Sequence, residues 1–400
     1  MSEWIACISC GARYELTEIR YVCDCSGPLS IERDLSVIPR TLFDDRRPGR
    51  TPVDQSGVWR FRESVLDIDS SLIITHPEGG TRLYERDGMS FKHEGENPTG
   101  SFKDRGMTVA MTQAKRLGVR AVACASTGNT SASLAAYAAQ ACLPAIVFLP
   151  SGKISAGKLA QTLAYGARCL QVHGDFDASM RLVLEASSKL GIYLVNSINP
   201  FRIEGQKTII WELLQDLEWS PPDWIVFPAG NLGNTSAFGK ALREAVQWGW
   251  ISRLPRLAAI QAEGANPFYR SFLEDFAARH RVAAETVASA IRIGDPVSHE
   301  KAVASIRETN GVVEQVTDAE LMAAKRDIDR MGIGCEPASA TTLAGVRKLR
   351  TAGVIAKEDR VVCILTGNLL KDPDSTMANV PEGQIVEIEA TLGAVEDALR

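Results

Sequence analysis

The stretch from Ala121 to Leu149 reads AVACASTGNTSASLAAYAAQACLPAIVFL and joins two kinds of pattern. A short apolar run, AVACA (121–125), precedes a longer helical pattern, and a second apolar run, AIVFL (145–149), follows it. Continuous apolar runs of this length are typical of strands that are covered on both faces. A connecting helix lets the second strand run parallel to the first. The stretch therefore predicts a strand–helix–strand unit of a parallel sheet.

The same alternation continues along most of the chain and predicts an α/β fold. Two doubly wound domains with mostly parallel sheets are expected, because 400 residues exceed one ordinary domain. We expect a small cysteine-rich, ribbon-like appendage at 1–36, a large domain from 37–118 and 206–400, and a small α/β domain at 119–205. Ligands of such folds bind at the carboxyl ends of the strands. The other apolar runs include IYLVN (192–196), DWIVFPAG (223–230), LAAIQAEG (257–264) and RVVCILTGN (360–368).

Composition and charge narrow the class of protein. The chain is 45% hydrophobic, and 44 basic against 49 acidic residues give a formal charge of −5, so no nucleic-acid surface is expected. The first residues lack the basic and apolar regions of a signal peptide, and no apolar run reaches about 18 residues, so no membrane span is expected. Five of the nine cysteines lie in or near apolar segments, as reduced core cysteines do. A cytoplasmic enzyme is the working expectation.

Three strand-to-helix loops carry unusual polar chemistry. ASTGNTS (125–131) offers hydroxyls, an amide and a flexible glycine before a helix, which suits a small carboxylate. It also reads as a simple helix cap. PAGNLGNTSAFG (228–239) lacks the spacing of a dinucleotide loop and suits the phosphate of a smaller cofactor, although a glycine-rich loop alone is a weak signal. NSINPFRIEGQKT (196–208) adds two cations and suits a second phosphate, with a capped helix and a solvated arginine as the alternative.

A fourth loop, HEGENPTGSFKDRG (93–106), holds Lys103 just before a helical pattern. Most lysines are solvated surface charges. A desolvated lysine loses its proton more easily, and its neutral amine forms Schiff bases with aldehydes. The lysine loop together with two anion-binding loops favours the reactive amine over the surface charge.

The sequence resembles fold-type II pyridoxal-phosphate enzymes, the tryptophan-synthase-β-like superfamily, and within it the threonine synthases. The motifs that carry the resemblance run from about residue 80 to 375: ENPTGSFKDRG, ASTGNTSAS, NSINPFRIEGQKT, PAGNLGN, IRIGDPVS (291–298), GCEPASA (334–340) and TGNLLKDP (366–373). The resemblance implies that Lys103 holds pyridoxal 5′-phosphate as a Schiff base and is the catalytic residue. The remaining cofactor contacts that it implies are Phe102, Asn129, Gly230, Asn231, Leu232, Gly233, Asn234 and Thr366, the last facing the pyridine nitrogen.

The activity that the resemblance implies is the conversion of O-phospho-L-homoserine and water to L-threonine and phosphate. The substrate carboxylate would bind Ser126, Thr127, Asn129 and Thr130, and its phosphate Ser197 and Arg202, with Asn199 and Lys207 as helpers. A β-replacement or dehydratase enzyme acting on O-phosphoserine, such as a cysteate-synthase-like enzyme, and a non-catalytic phosphoamino-acid-binding protein are the alternatives. Asn368 and Leu369 stand where threonine synthases often have His and Gly. A homodimer is expected.

Four cysteines cluster near the N-terminus with the spacing C-x2-C-x12-C-x-C. Cys7, Cys10, Cys23 and Cys25 could hold a structural zinc ion, but the second pair is one residue shorter than that of a zinc ribbon. A metal-free relic is the alternative. Either way the cluster is structural, because four thiolates leave no open metal position for catalysis.

Overall fold

The computed structural model describes residues 2–34, 36–151, 156–173, 176–381 and 383–399. In chain order its strands are β1 (Glu3–Cys7), β2 (Arg13–Tyr14), β3 (Leu29–Arg33), β4 (Leu83–Arg86), β5 (Met89–His93), β6 (Ala121–Ala125), β7 (Ala145–Pro150), β8 (Arg168–Val172), β9 (Ile192–Leu194), β10 (Trp224–Pro228), β11 (Arg256–Ala262), β12 (Val312–Val316) and β13 (Val361–Leu365).

Helices separate most of these strands. The α-helices are α1 (Thr41–Arg46), α2 (Pro52–Gln55), α3 (Arg62–Val65), α4 (Lys103–Arg116), α5 (Asn129–Gln140), α6 (Ala156–Ala164), α7 (Phe176–Leu190), α8 (Phe201–Gln206), α9 (Thr208–Asp216), α10 (Gly233–Gln247), α11 (Pro267–Leu273), α12 (His299–Glu308), α13 (Asp318–Arg330), α14 (Pro337–Thr351), α15 (Pro373–Ala378) and α16 (Leu392–Ala398). None of them is long and apolar enough to span a bilayer, within the part of the chain that the structure describes.

Two sheets carry the fold, and both are mainly parallel, as the apolar runs predict. The larger has the order β12-β11-β10-β13-β5-β4, with only β4 antiparallel to its neighbour. The smaller has the order β8-β7-β6-β9 and is parallel throughout. The α/β fold class is confirmed, whereas the domain boundaries given above stay a prediction.

The central strands β10 and β13 of the larger sheet are apolar at every position because both faces of the sheet are covered there. In β10, Ile225 and Phe227 pack into one apolar cluster, and Trp224 and Val226 into another on the opposite face. Side chains of a strand alternate between the faces, so a run without polar interruptions marks a strand buried on both sides.

A separate small sheet, β2-β1-β3, forms the N-terminal appendage. Its strands pair antiparallel, and Ile5 and Ile31 face each other in the register and join the main apolar core. The appendage is therefore packed onto the body of the protein.

Two glycines let helices α4 and α8 approach until their backbones touch. A Cβ atom at Gly205 would lie 1.8 Å from the carbonyl oxygen of Arg105, and one at Gly106 would lie 2.9 Å from the carbonyl oxygen of Arg202. Because Lys103 opens α4 and Arg202 lies in α8, this contact sets the separation of two predicted site residues.

The variant Gly205→Ala tests this contact. A Cβ cannot fit against a backbone carbonyl without moving the helix, so we expect the free energy of unfolding to fall by about 2 kcal/mol or more in urea denaturation. Gly393→Ala is the control, since nothing lies within 4 Å of a Cβ built at Gly393. Equal stability of the two variants would contradict the close helix contact.

Candidate active site

The loop from Ser126 to Thr130 leads from β6 into the N-terminus of α5 and is partly exposed. Among the described residues, the backbone N–H groups of Thr127, Asn129 and Thr130 have no protein acceptor. Free N–H groups and the positive end of a 12-residue helix form a receptor for an anion, as the sequence predicts.

Asn196 brings a second loop beside the first. Its side-chain oxygen accepts a hydrogen bond from the Ala125 N–H at 2.9 Å, and its amide donates to the Ala125 carbonyl at 3.0 Å. Ser197 follows directly, and its hydroxyl accepts a hydrogen bond from the Asn231 amide at 2.9 Å. The Asn231 side chain also accepts the N–H of Val297 at 3.0 Å. Three of the predicted loops therefore meet at one end of the two sheets.

The loop from Gly230 to Asn234 has the geometry of a phosphate cradle. Leu232 has a left-handed backbone with φ of 62°, which costs roughly 1 kcal/mol for a residue with a side chain and is typical of ligand-binding loops. In the part of the chain that the structure describes, no protein acceptor pairs with the N–H groups of residues 230–234. The Asn234 side-chain oxygen is also buried without a partner. The free N–H groups, at the start of the 15-residue helix α10, can donate to an anion, whereas the Asn234 oxygen can only accept a hydrogen bond.

Lys103 is held between the two sheets' loops. The N–H of Phe102 donates to the carbonyl of Thr366 at 3.0 Å, which ties the lysine loop to the carboxyl end of β13. The Lys103 amine lies 3.8 Å from the centre of the Phe102 ring. Burial lowers the pKa of the Lys103 amine to about 7, assisted by the nearby Arg202 guanidinium and opposed by Glu336. A substantial fraction of the amine is therefore neutral near pH 7.

Arg202 is the strongest anion-binding group in the candidate site. It is 3% exposed, its Nη1 donates to the Val195 carbonyl at 3.1 Å, and its Nε has no partner. Burial lowers the pKa of its guanidinium to about 10. No carboxylate of the described residues forms an ion pair with it, unlike Arg105, which pairs with Glu94 and Glu212 at 2.7 and 2.8 Å. A buried cation of this kind requires an anion.

The structure corrects the expectation for two predicted substrate contacts. Lys207 is fully buried and pairs with Glu204 at 2.6 Å and Glu244 at 2.7 Å, so its charge is already balanced. The side chain of Asn199 is also fully used: its amide donates to the Leu194 carbonyl at 2.8 Å, and its oxygen accepts from the Phe201 N–H at 3.0 Å. The polar groups of both side chains are held by other protein groups, so their predicted contact with the substrate phosphate gains no support from the structure.

Glu336 is a site residue to which the sequence reasoning gave no role. Its carboxylate accepts hydrogen bonds from the Asn129 amide at 2.9 Å and the Thr366 hydroxyl at 3.0 Å. Burial raises its pKa. Ser339, in the next turn, accepts the Thr366 N–H at 2.8 Å. The motif GCEPASA gives no local signal of this role, because a glutamate before the first proline of a helix is usually solvated and its burial is visible only in the structure.

Asn368 and Leu369, which stand where threonine synthases often have His and Gly, lie against the lysine loop and Gly334. The Asn368 N–H donates to the Gly100 carbonyl at 2.9 Å, and its side chain accepts from the Leu370 N–H at 3.0 Å. Leu369 packs on Gly334, where a Cβ would lie 2.4 Å from the leucine side chain. The substituted residues thus support the lysine loop from the β13 side.

Comparison with known proteins agrees with this geometry. The family model described as "Pyridoxal-phosphate dependent enzyme" matches residues 74–367. The chain is 44% identical to the threonine synthases of Methanocaldococcus jannaschii, over 98% of both chains, and of Methanosarcina acetivorans, over 99% of this chain and 98% of the relative. It belongs to the threonine synthase family of pyridoxal-phosphate-dependent enzymes.

Solved structures share the fold of this family. The threonine synthase of Escherichia coli superposes with a TM-score of 0.75 at 18% identity, covering 99% of this chain and 94% of that one. The threonine deaminase isoform 2 of Solanum lycopersicum superposes with a TM-score of 0.66 at 20% identity, covering 77% of this chain and 89% of that one.

The donors of the site fit pyridoxal phosphate, the cofactor of the family. The free N–H groups of residues 230–234 suit a phosphate monoester, and an amine with a pKa of about 7 suits an aldehyde. The Thr366 hydroxyl, at the end of β13, is fixed by Glu336 and Ser339 and can meet a ring nitrogen.

Lys103 of the cofactor-free enzyme should react with a small acylating reagent over an unusual pH range. The neutral amine is the nucleophile, so labelling should fall as the pH drops below about 7 and level off above about pH 8. Peptide mass spectrometry measures this, with the exposed Lys189 in the same digest for comparison. A Lys103 profile that follows that of Lys189 at every pH would contradict a depressed pKa.

Proposed function

We propose that this enzyme converts O-phospho-L-homoserine and water to L-threonine and inorganic phosphate. The observation that carries the proposal is Arg202, a buried guanidinium without a carboxylate partner in the described chain, close enough to Lys103 to lower its pKa. A γ-phosphate needs a cation at a distance from the carbon that loses its proton. Family membership supports the same reaction.

Lys103 would be the catalytic base and acid. When bound, pyridoxal phosphate would supply an aldehyde for amines and an electron sink for the charge that develops as the α proton leaves. The neutral Lys103 amine would remove the α proton and pass it to the phosphate as the bond to the γ carbon breaks, which frees the amine to take the β proton and return it at the γ carbon. A water molecule would then add its OH at the β carbon, and Lys103 would carry the remaining water proton to the α carbon. Its pKa of about 7 suits both directions of transfer near neutral pH.

The two helix N-termini and Arg202 would bind the charged ends of the ligands. The substrate carboxylate would accept hydrogen bonds at the start of α5, from Ser126, Thr127, Asn129 and Thr130. Its phosphate would bind Arg202 and Ser197, and the guanidinium would stabilise the phosphate as it leaves the γ carbon. The cofactor phosphate would lie on the loop at the start of α10, formed by Gly230, Asn231, Leu232, Gly233 and Asn234. Phe102 would lie beside the cofactor, and Thr366 at its ring nitrogen.

Glu336 would hold in place the two residues expected to contact the cofactor's O3′ and its ring nitrogen. It accepts hydrogen bonds from Asn129, expected at the cofactor's O3′, and from Thr366, expected at the ring nitrogen. One buried carboxylate would therefore set the distance between the two contacts.

The predicted homodimer and the predicted cytoplasmic location stay predictions.

A phosphate-release assay tests the function. The wild-type holoenzyme should release phosphate and form threonine from O-phospho-L-homoserine, with far slower release from O-phospho-L-serine, whose phosphate is one carbon nearer the amine. Lys103→Ala should abolish both turnover and the Schiff-base absorbance at roughly 410–420 nm. The exposed Lys189→Ala is the control and should keep both.

Failure of the wild-type enzyme to release phosphate from O-phospho-L-homoserine would refute the proposed function. Preferential turnover of O-phospho-L-serine would instead favour the β-replacement or dehydratase alternative. Binding of phosphoamino acids with no turnover and no absorbance band would favour a binding protein.

We further propose that the N-terminal cysteines bind one zinc ion. The sulfurs of Cys7, Cys10, Cys23 and Cys25 lie within 4.8 Å of one another, with 3.5 Å between Cys7 and Cys25 and 3.6 Å between Cys10 and Cys23. Zinc–sulfur bonds of about 2.3 Å in a tetrahedron require sulfur separations of about 3.8 Å. The C-x-C pair is one residue shorter than that of a zinc ribbon, but it still brings its two sulfurs close to those of Cys7 and Cys10.

Metal analysis of the purified holoenzyme should give about one zinc per chain. Cys10→Ser should lower the zinc content and the unfolding temperature, because a structural metal contributes its binding free energy to folding. Cys142→Ser, at an exposed cysteine outside the cluster, should change neither. A wild-type enzyme purified without chelators and free of zinc would contradict the proposal.

A further inference from the structure

The N-terminal appendage reaches the helix that carries Arg202 through a buried ion cluster. Arg33, at the end of β3, donates to the Glu204 carboxylate at 2.7 Å, and both side chains are at most 1% exposed. Glu204 lies in α8, two residues after Arg202. The edge strand β3 of the appendage is therefore in direct contact with a helix of the candidate active site.

Glu204 is the centre of this cluster. Besides Arg33, it pairs with Lys207 at 2.6 Å and Lys240 at 2.5 Å. Lys240 also donates to the carbonyl of Ile31 in β3, so a second contact joins the appendage to the same carboxylate. Glu244 accepts from Lys207 at 2.7 Å and extends the cluster along α10.

Arg202 itself has little to hold it. Its guanidinium donates to the Val195 carbonyl, its backbone N–H donates to the Asn199 carbonyl at 3.3 Å, and its Nε is buried without a partner. Its position thus depends on where α8 lies. The contact of Gly205 with α4 fixes one side of that helix, and the Glu204 cluster fixes another.

We infer that Arg33 of the N-terminal appendage is a positioning residue for the phosphate-binding Arg202, acting through Glu204 and helix α8. The inference rests on the proposed function, since it assigns the phosphate to Arg202. It gives the appendage a part in substrate binding.

The chemistry of Arg33 favours positioning over stability. Buried ion pairs recover little net stability, because removing both charges from water costs about as much as their attraction returns. Arg33 is also incompletely paired: its Nε and Nη1 are buried without partners. A well-packed apolar side chain would attach the appendage to the core equally well, whereas an ion pair fixes one carboxylate at one place.

The variant Arg33→Met keeps the length of the side chain and removes its charge. In the holoenzyme, we expect the Kd for inorganic phosphate and the KM for O-phospho-L-homoserine to rise roughly five- to tenfold, as expected when a coupling network is altered. The kcat should also fall, because Arg202 is assigned to the departing phosphate as well, whereas the cofactor absorbance should stay unchanged, because Lys103 is not touched. Arg33→Lys should recover part of the phosphate affinity.

Arg13→Met is the matched control in the same appendage. Arg13 is exposed and lies over the Trp4 ring at 4.3 Å, without reaching α8. Its variant should bind phosphate as the wild type does. In a Glu204→Gln background, Arg33→Met should weaken phosphate binding little further, because the route through Glu204 is already lost.

An Arg33→Met enzyme that unfolds at a lower temperature but binds phosphate with wild-type affinity would overturn the inference and make Arg33 a purely structural residue. If Arg33→Met does not fold, Arg33→Gln takes its place, and unchanged phosphate affinity in that variant would overturn the inference equally. Arg202→Gln separates the two proposals. If that variant binds phosphate as tightly as the wild type, the assigned phosphate site is wrong; if it loses binding while Arg33→Met keeps it, only the role of the appendage is wrong.

Discussion

The candidate active site depends on the burial of two cations, Lys103 and Arg202, that no carboxylate of the described chain neutralises by an ion pair. Elsewhere the protein balances its buried charges closely. Arg105 has Glu94 and Glu212, and Lys92 has Glu212 at 2.8 Å. An unbalanced buried cation is costly, so it persists only where the surrounding structure fixes it or a ligand supplies the missing charge. Under the proposed function, the missing charges are those of phosphates and carboxylates.

This electrostatic arrangement needs a geometry that only small residues allow. Lys103 and Arg202 affect one another because α4 and α8 cross at Gly106 and Gly205 with their backbones in contact. A larger residue at either glycine would separate the helices and weaken the influence of the guanidinium on the amine. The pKa of the lysine thus depends first on its burial and also on helix packing less than one turn away.

The sequence predicts the fold well because the relevant signals are local. Runs such as IVF in β10 and VVCIL in β13 are apolar at every position, and only a strand covered on both faces requires this. Loops that follow such strands are also recognisable, since glycines and hydroxyls precede a helix at each. The anion-binding loops at Ser126–Thr130 and at 230–234 were found in this way.

The partners that balance a buried charge often lie far away in the sequence, and this explains why the roles of some charged residues could not be predicted. Arg202 and Lys207 stand in one motif and look alike as phosphate-binding cations. Lys207 shares Glu204 of the same motif with Arg33 and Lys240, and it also pairs with Glu244, which lies in a helix that begins 26 residues later in the chain. Glu336 shows the opposite case. As an acidic residue at the start of a helix, it looks from the sequence like a solvated cap. In the structure it belongs to the site because Asn129 and Thr366, from two other elements, donate hydrogen bonds to it. A charged residue's role is therefore decided by its partners in space. Two cations five residues apart can differ completely, because only one of them has been left without a partner.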